Sequence, residues 1–310
     1  MKSYLFVVLA SLLSCSGIKK SDAQAESQLL KDLKTLSSDR YEGRKTGTKG
    51  AEMTRAYIND RFRTIGLKSF NTSYEQPFTF KDSDGEDVEA KNMIGYIPGK
   101  TDNVIVISAH YDHLGVINSE IYNGADDNAS GVAGLLHMAA YFIKQQPNST
   151  LIFAAFDAEE LGLQGAKAFV DNPPVSIGKV RLNVNMDMIS HNDKGELYAC
   201  GTFRYPELKK FFITANPALK VLFGHDDPKL GHDDWTNQSD QGAFHAKGIP
   251  FIYFGVEDHK DYHKATDEFQ NINQTFFSAA VDAITSIISN IDKERDIQKI
   301  FKEKLKMKKQ

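Results

Sequence analysis

The chain has 310 residues, 41% of them hydrophobic, enough for one large α/β domain with a sizeable core. Its 37 Lys and Arg against 41 Asp and Glu leave a net charge of −4, and its aromatic residues sit in apolar runs rather than among basic ones. That balance excludes electrostatic capture of nucleic acid and gives no base-stacking surface.

At the amino terminus Lys2 precedes an apolar stretch, Tyr4 to Leu13, too short to span a bilayer as a mature helix. Leu12-Leu13-Ser14-Cys15 resembles a bacterial lipobox, which makes residues 1–14 a signal peptide and Cys15 the lipidated first residue of the mature chain. Residues 15–24, opening Cys15-Ser16-Gly17-Ile18-Lys19, read as a polar tether. Cys200 is the only other cysteine, so no intrachain disulfide is expected. No later run is apolar enough to cross a membrane. The expectation is a body held at the bacterial cell envelope, facing periplasm or exterior, by a lipid anchor alone. Nothing in the sequence specifies an oligomeric state.

Residues 25–291 read as a single domain. Leu29, Leu30, Leu33 and Leu36 predict a first helix within Ser21 to Ser38, followed by a polar loop from Asp39 to Thr48. Apolar residues at helical spacing predict a second helix from Lys49 to Leu67, with Gly66 as its C-cap. Strand-like runs at Tyr74 to Phe80 and Val88 to Ile97 flank a turn at Lys81 to Gly85. Strands and helices then alternate. Strands are predicted at Val104–Ser108, Leu151–Phe156, Val180–Met186 and Phe251–Phe254. Helices are predicted at Ala129–Ile143, Leu161–Val170, Tyr205–Thr214, Asp240–Ala246 and Phe276–Ile291. The alternation predicts an α/β fold with a mixed, mainly parallel central sheet sandwiched by helices. Residues 292–310, rich in Lys, read as a terminal helix or tail laid partly on the body.

Leu151 to Phe156 is the most informative strand, an unbroken apolar run that stops at Asp157 just before Glu159 and Glu160. Ligands of open α/β sheets sit at the carboxyl ends of strands, so these adjacent acids stand where chemistry is expected. Alternatively, acids at that position simply open a helix, whose dipole favours negative charge there. Other strands end alike. Val104 to Ala109 runs into His110-Tyr111-Asp112-His113, and the loop Asn123 to Gly131 (NGADDNASG) precedes a helix. Asp187 follows Asn185-Met186, and Asp261-Tyr262-His263 follows the last strand. Two histidines with three or more carboxylates form a mixed N/O set suited to zinc. The carboxylate excess suits two ions about 3.5–4 Å apart, bridged by one acid. Gly131, Gly162 and Gly165 serve turns and close packing, since no phosphate-binding glycine motif is present.

The stretches SAHYDHLG, NGADDNASGVAG, FDAEELGLQG, NMDM and DYHKATD, flanked by SDQGAFHAKGIP, together resemble the M28 family of zinc metallopeptidases, in its aminopeptidase-like, lipoprotein form. DRYEGRKTGTKG near residue 40 is similar to the amino-terminal loop of such enzymes. The resemblance spans most of the chain from His110 to Asp267. It implies a zinc-dependent exopeptidase fold of the phosphorylase/hydrolase-like type, two Zn2+ per chain and peptide substrates. It implies His110 and Asp187 on one ion, Glu160 and His263 on the other, and Asp127, rather than Asp126, bridging them. It also implies a cis peptide after Asp127. Asp112 is expected to accept from the far nitrogen of His110 and fix its tautomer. Glu159 is expected to act as general base on a metal-bridging water, and Tyr262 to hydrogen-bond the oxyanion. His113 and His259 are the alternatives to His110 and His263, and the family spacing favours the latter pair. His191, Asp193, His225 and His232 read as surface groups.

Three rival functions remain. A glutaminyl cyclase of the same fold would bind a single zinc, whereas a carboxypeptidase or dipeptidase would differ in the substrate terminus recognised. A non-catalytic binding protein would be expected to lack a ligand or the base, and none is missing.

Overall fold

The computed structural model describes residues 27–301, apart from 214, 215, 217, 218, 295, 296 and 298. The signal peptide, Cys15, the tether and the last nine residues lie outside the described residues. In chain order the elements are α1 (Gln28–Leu36), α2 (Lys49–Ile65), β1 (Glu75–Lys81), β2 (Asp87–Ile97) and β3 (Val104–His110). A small hairpin follows, β4 (Gly115–Ile117) and β5 (Glu120–Tyr122), and then α3 (Gly131–Phe142), β6 (Thr150–Phe156), α4 (Gln164–Asp171) and β7 (Val180–Met186). The chain continues through β8 (Glu196–Cys200), β9 (Lys220–Phe223), α5 (Gln241–Ala246), β10 (Phe251–Gly255) and α6 (Gln274–Asp292).

Eight strands form one sheet in the order β1-β2-β6-β3-β7-β10-β8-β9. The central strands β6, β3, β7 and β10 run parallel, and antiparallel pairings join β2 and β8 to this block. Successive residues of a strand face opposite sides, so each apolar run supplies two cores at once. Ile105, Ile107, Leu151, Phe153 and Val184 face the layer of α1, α2, α3 and α6, whereas Val106, Ile152, Ala154 and Phe156 face α4 and α5. A mainly parallel sheet between two helical layers is the predicted architecture.

Local signals are obeyed where they were strong. Thr48 caps α2 by accepting from the Ala51 amide, and Gly66 ends it at φ 92°. The chain differs from expectation where pattern was weak. Among its described residues, the Tyr205–Thr214 segment contains only a 3-10 turn, Pro206–Phe211. α3 starts at Gly131 because residues Ala125–Ser130 form a kinked π-type turn. β4, β5 and β9 have half-exposed residues and no clear alternation, and β8, though alternating, has only five residues, which hid them. At the far end Ile297 and Ile300 are buried, and Phe301 meets Tyr205 edge-on at 5.7 Å, so the terminal segment begins by packing on the body.

This topology brings the carboxyl ends of β3, β6, β7 and β10 to one edge of the sheet. Behind β6, Gly165 lets α4 press directly onto the backbone: a Cβ there would lie 2.3 Å from the Asp157 carbonyl and 2.4 Å from Asn92 Oδ1. Gly165→Ala should therefore lower stability by about 1–3 kcal/mol, the usual cost of overpacking. Urea denaturation compared with the parent chain checks it, and an unchanged midpoint would contradict it.

Candidate metal centre

His110 is the last residue of β3, and Asp187 directly follows β7. Asp127 comes from the turn before α3, and Glu159 and Glu160 come from the turn after β6. His263 lies in the loop after β10, at φ 53°. The acidic pair does not open a helix. Ala158 takes the left-handed conformation at φ 57°, the chain turns through residues 159–163, and α4 begins only at Gln164.

All five residues expected to hold metal converge. His110 Nε2 lies 3.2 Å from Asp187 Oδ1 and 3.3 Å from Asp127 Oδ1. His263 Nε2 lies 3.1 Å from Asp127 Oδ2 and 3.5 Å from Glu160 Oε2. Asp127 thus turns one oxygen to each histidine, as a bridging acid must. Its neighbour Asp126 is committed elsewhere, accepting from Ser190 and from His259 Nε2 at 3.0 Å. The peptide between Asp127 and Asn128 is cis.

His110 Nδ1 donates to the main-chain carbonyl of Asp112 at 3.1 Å, while the Asp112 carboxylate is 3.7 Å away. The tautomer is thus set by the carbonyl, a correction to the expected carboxylate contact. The Asp112 carboxylate instead accepts from the backbone amides of Glu159 and Glu160, at 3.0 and 3.3 Å. It is the tie that holds the acidic pair against β3. With Nδ1–H so engaged, Nε2 of a neutral His110 is a bare lone pair facing two carboxylate oxygens. Only a cation or a proton between them removes that repulsion. The N/O donor set fits zinc on these grounds: His110, Asp127 and Asp187 offer one group of converging atoms and His113, Asp127 and Glu160 a second, with His263 approaching the same Asp127 and Glu160 from the cleft side.

Other residues were missed by the sequence reading. His113 is not merely an alternative to His110: it is buried inside the site, with Nδ1 2.8 Å from Glu160 Oε1. Arg44, only 1% exposed, donates to five carbonyls, those of Tyr111, Leu36, Asn123, Gly124 and Asp127. Asp267 accepts from the amides of Asp126 and Asp127, fixing the loop from its other side. His191 and His225, expected at the surface, are partly buried there: His191 stacks on His259 at 3.8 Å and His225 on Trp235 at 3.7 Å. His191, His259 and Asp261 form a further cluster, but the stacked rings, 25° apart, do not aim two lone pairs at one point.

A cleft opens over the metal centre. Glu159, Asp127, Glu160 and Asp187 form its floor, and Met188, Trp235, Gln238, Tyr253, Val256 and Tyr262 stand along its sides. Tyr262 stacks on His263 at 4.0 Å. Trp235 and Gln238 bring the segment 221–238 into the cleft wall, whereas Gln76–Lys91 belongs to the β1–β2 edge of the sheet.

Buried carboxylates crowded together bind protons tightly. Burial, reinforced by Asp127, pushes Glu160 up to about 8, and burial with Asp187 and Asp240 nearby holds Glu159 well above its ordinary range. Burial alone would lower His110, yet Asp187 and Glu159 carry it well above its ordinary value. Burial lowers His113 to about 3, so that ring is neutral. A cation needs Glu160 as carboxylate, so zinc uptake near neutral pH should expel protons and the apparent affinity should rise with pH up to about 8. Calorimetric titrations in buffers of different ionisation enthalpy measure this. Proton-neutral, pH-independent binding would contradict it.

The profile of peptidase family M28 matches residues 92–288. Aminopeptidase YwaD of Bacillus subtilis is 28% identical over 231 residues, 71% of this chain, and the match spans 48% of that relative's length. The chain therefore covers about half the length of this curated relative. Among solved structures, the aminopeptidase from Aneurinibacillus sp. strain AM-1 has a TM-score of 0.66 at 15% identity, over 84% of this chain and 92% of that one. The glutaminyl cyclase of Bacteroides thetaiotaomicron bound to N-acetylhistamine also has a TM-score of 0.66, at 18% identity, over 85% and 97% of the two chains. At such identities the likeness is one of fold.

Proposed function

The chain belongs to peptidase family M28, and on that premise we propose that it is an aminopeptidase that uses two zinc ions to remove residues from the amino termini of peptides. The observation that carries the two-ion reading is the division of Asp127, with one oxygen toward His110 and the other toward His263. His110, Asp187 and Asp127 would hold one ion, and Asp127, Glu160 and His263 the other. A glutaminyl cyclase on one zinc is the second reading, supported by the equal structural likeness to such an enzyme. The approach of His263 to both Asp127 and Glu160, beside the group of His110, Asp127 and Asp187, favours the hydrolase.

Zinc held by these residues would supply Lewis acidity to polarise the scissile carbonyl and would lower the pKa of water toward about 7. The residues do the rest. Glu159 reaches the cleft floor without a place in either donor group, and burial keeps its proton affinity high. It takes a proton from the attacking water and returns it to the departing amine. Asp112 holds the backbone of that residue in place, so the base stays aimed at the floor. Tyr262, stacked on His263 at the cleft side, has its hydroxyl pushed up by burial and nearby carboxylates, so it stays protonated and can donate to the developing oxyanion. We further propose that Cys15 carries the lipid that anchors this domain at the cell envelope, a reading supported by residues 12–15 of the sequence.

Glu159→Gln should retain zinc yet lose at least about a hundredfold in turnover on aminoacyl chromogenic amides, in line with the usual contribution of a positioned base. Full activity in that variant would refute the assignment. Metal analysis of the parent should give near two zinc ions per chain; near one, with pyroglutamate formed from N-terminal glutamine, would favour the cyclase.

A further inference from the structure

We infer that His113 is a positioning residue for Glu160, holding one oxygen of that carboxylate so that the other stays turned to His263 and the cation site shared with Asp127. The inference rests on the metal-centre reading above, but not on the number of ions.

The two oxygens of Glu160 have separate partners. Oε1 lies 2.8 Å from His113 Nδ1, and Oε2 lies 3.5 Å from His263 Nε2. The two imidazole rings are 5.9 Å apart, on different sides of the carboxylate. His263 is the exposed one, with 39% of its side chain accessible, whereas the His113 side chain is wholly buried. His113 Nε2 has no hydrogen-bond partner among the described residues. A neutral imidazole has one N–H to place. On Nε2 it would be a buried orphan donor, and the bare Nδ1 would face a carboxylate oxygen. On Nδ1 it is spent on Glu160, and only an acceptor goes unpaired, which is the less costly defect.

The ring cannot swing away from this bond. Gly124, at φ 53°, packs against it so closely that a Cβ would fall 2.5 Å from His113 Cδ2 and 2.7 Å from Cγ. Arg44 clamps the same turn through the carbonyls of Asn123 and Gly124. One loop therefore fixes both Asp127 and the ring that orients Glu160. The ring also lies 3.7 Å from Asp127 Oδ2, and His113, Asp127 and Glu160 converge, so a direct ligand is the competing role. The two roles differ in what an amide can replace: asparagine supplies an N–H near the Nδ1 position but is a poor zinc ligand.

The test is zinc affinity, measured by chelator competition on the full chain. Glu160→Gln first identifies the zinc class that depends on Glu160. His113→Leu, which keeps bulk and loses the donor, should weaken that class 10–100-fold, the usual effect of removing a ligand's orienting partner, and leave any other class unchanged. His113→Asn should restore most of the loss. Parent-like affinity in the Leu variant overturns the inference, as does an Asn variant no better than Leu, which would make the ring a ligand. If the Leu variant does not fold, His113→Gln, whose amide falls beyond the Nδ1 position, replaces it in the comparison. A parent that binds a single Glu160-dependent zinc with the same His113 dependence would refute the two-ion proposal alone. A parent with two zinc ions indifferent to His113 would refute this inference alone.

Discussion

Concentrated negative charge in a closed space governs this molecule. Asp127, Glu159, Glu160 and Asp187 share one cleft floor, with Asp112 directly behind them. Carboxylates so close cannot all ionise without a counter-charge, and buried Arg44 offers its donors to carbonyls rather than to them. His110 answers that charge only by holding a proton of its own, and buried His113 stays neutral. The centre is thus built as a deficit of positive charge, and divalent ions are the natural complement.

Holding that deficit together falls to backbone ties rather than ion pairs. The Asp112 carboxylate takes the amides of the acidic pair, and Asp267 takes those before the bridging acid. Asn128 reaches across to the carbonyl of Met186 and the amide of Met188, joining the turn before α3 to the end of β7. Asp157, wholly buried beneath, accepts from Thr46, the Lys91 amide and Tyr111. These ties join segments that are far apart in the sequence. Ligand geometry is therefore a property of the sheet edge as a whole, not of any one loop.

Much of this was legible in the residues. Central strands such as Leu151–Phe156 are apolar on both faces because helices cover both, and such runs read clearly. The strand-end acids and histidines were found because chemistry at the carboxyl ends is a rule of the fold. What escaped notice shares a physical cause. β8 and β9 lie toward the sheet's edge, half exposed, with too few residues to show a period. Arg44 sits in a polar, glycine-containing stretch that looks solvated, and only the folded loop reveals the carbonyls that replace its water. His113 reads as a redundant histidine until Glu160, 47 positions later, is placed against it.

Arg44 also bears on where this domain can be said to begin. It and Thr46 precede the stretch 92–288 that carries the family match, yet they support the loop of Asp127 and the foot of the acidic turn. A clone trimmed to the matched span would leave several carbonyl oxygens facing an interior with no donor, beside a loop that had lost its clamp. The loop of Arg44 and Thr46, upstream of the matched span, supports the turns of the candidate metal centre as much as residues within that span do, and truncation boundaries for this chain belong ahead of α1.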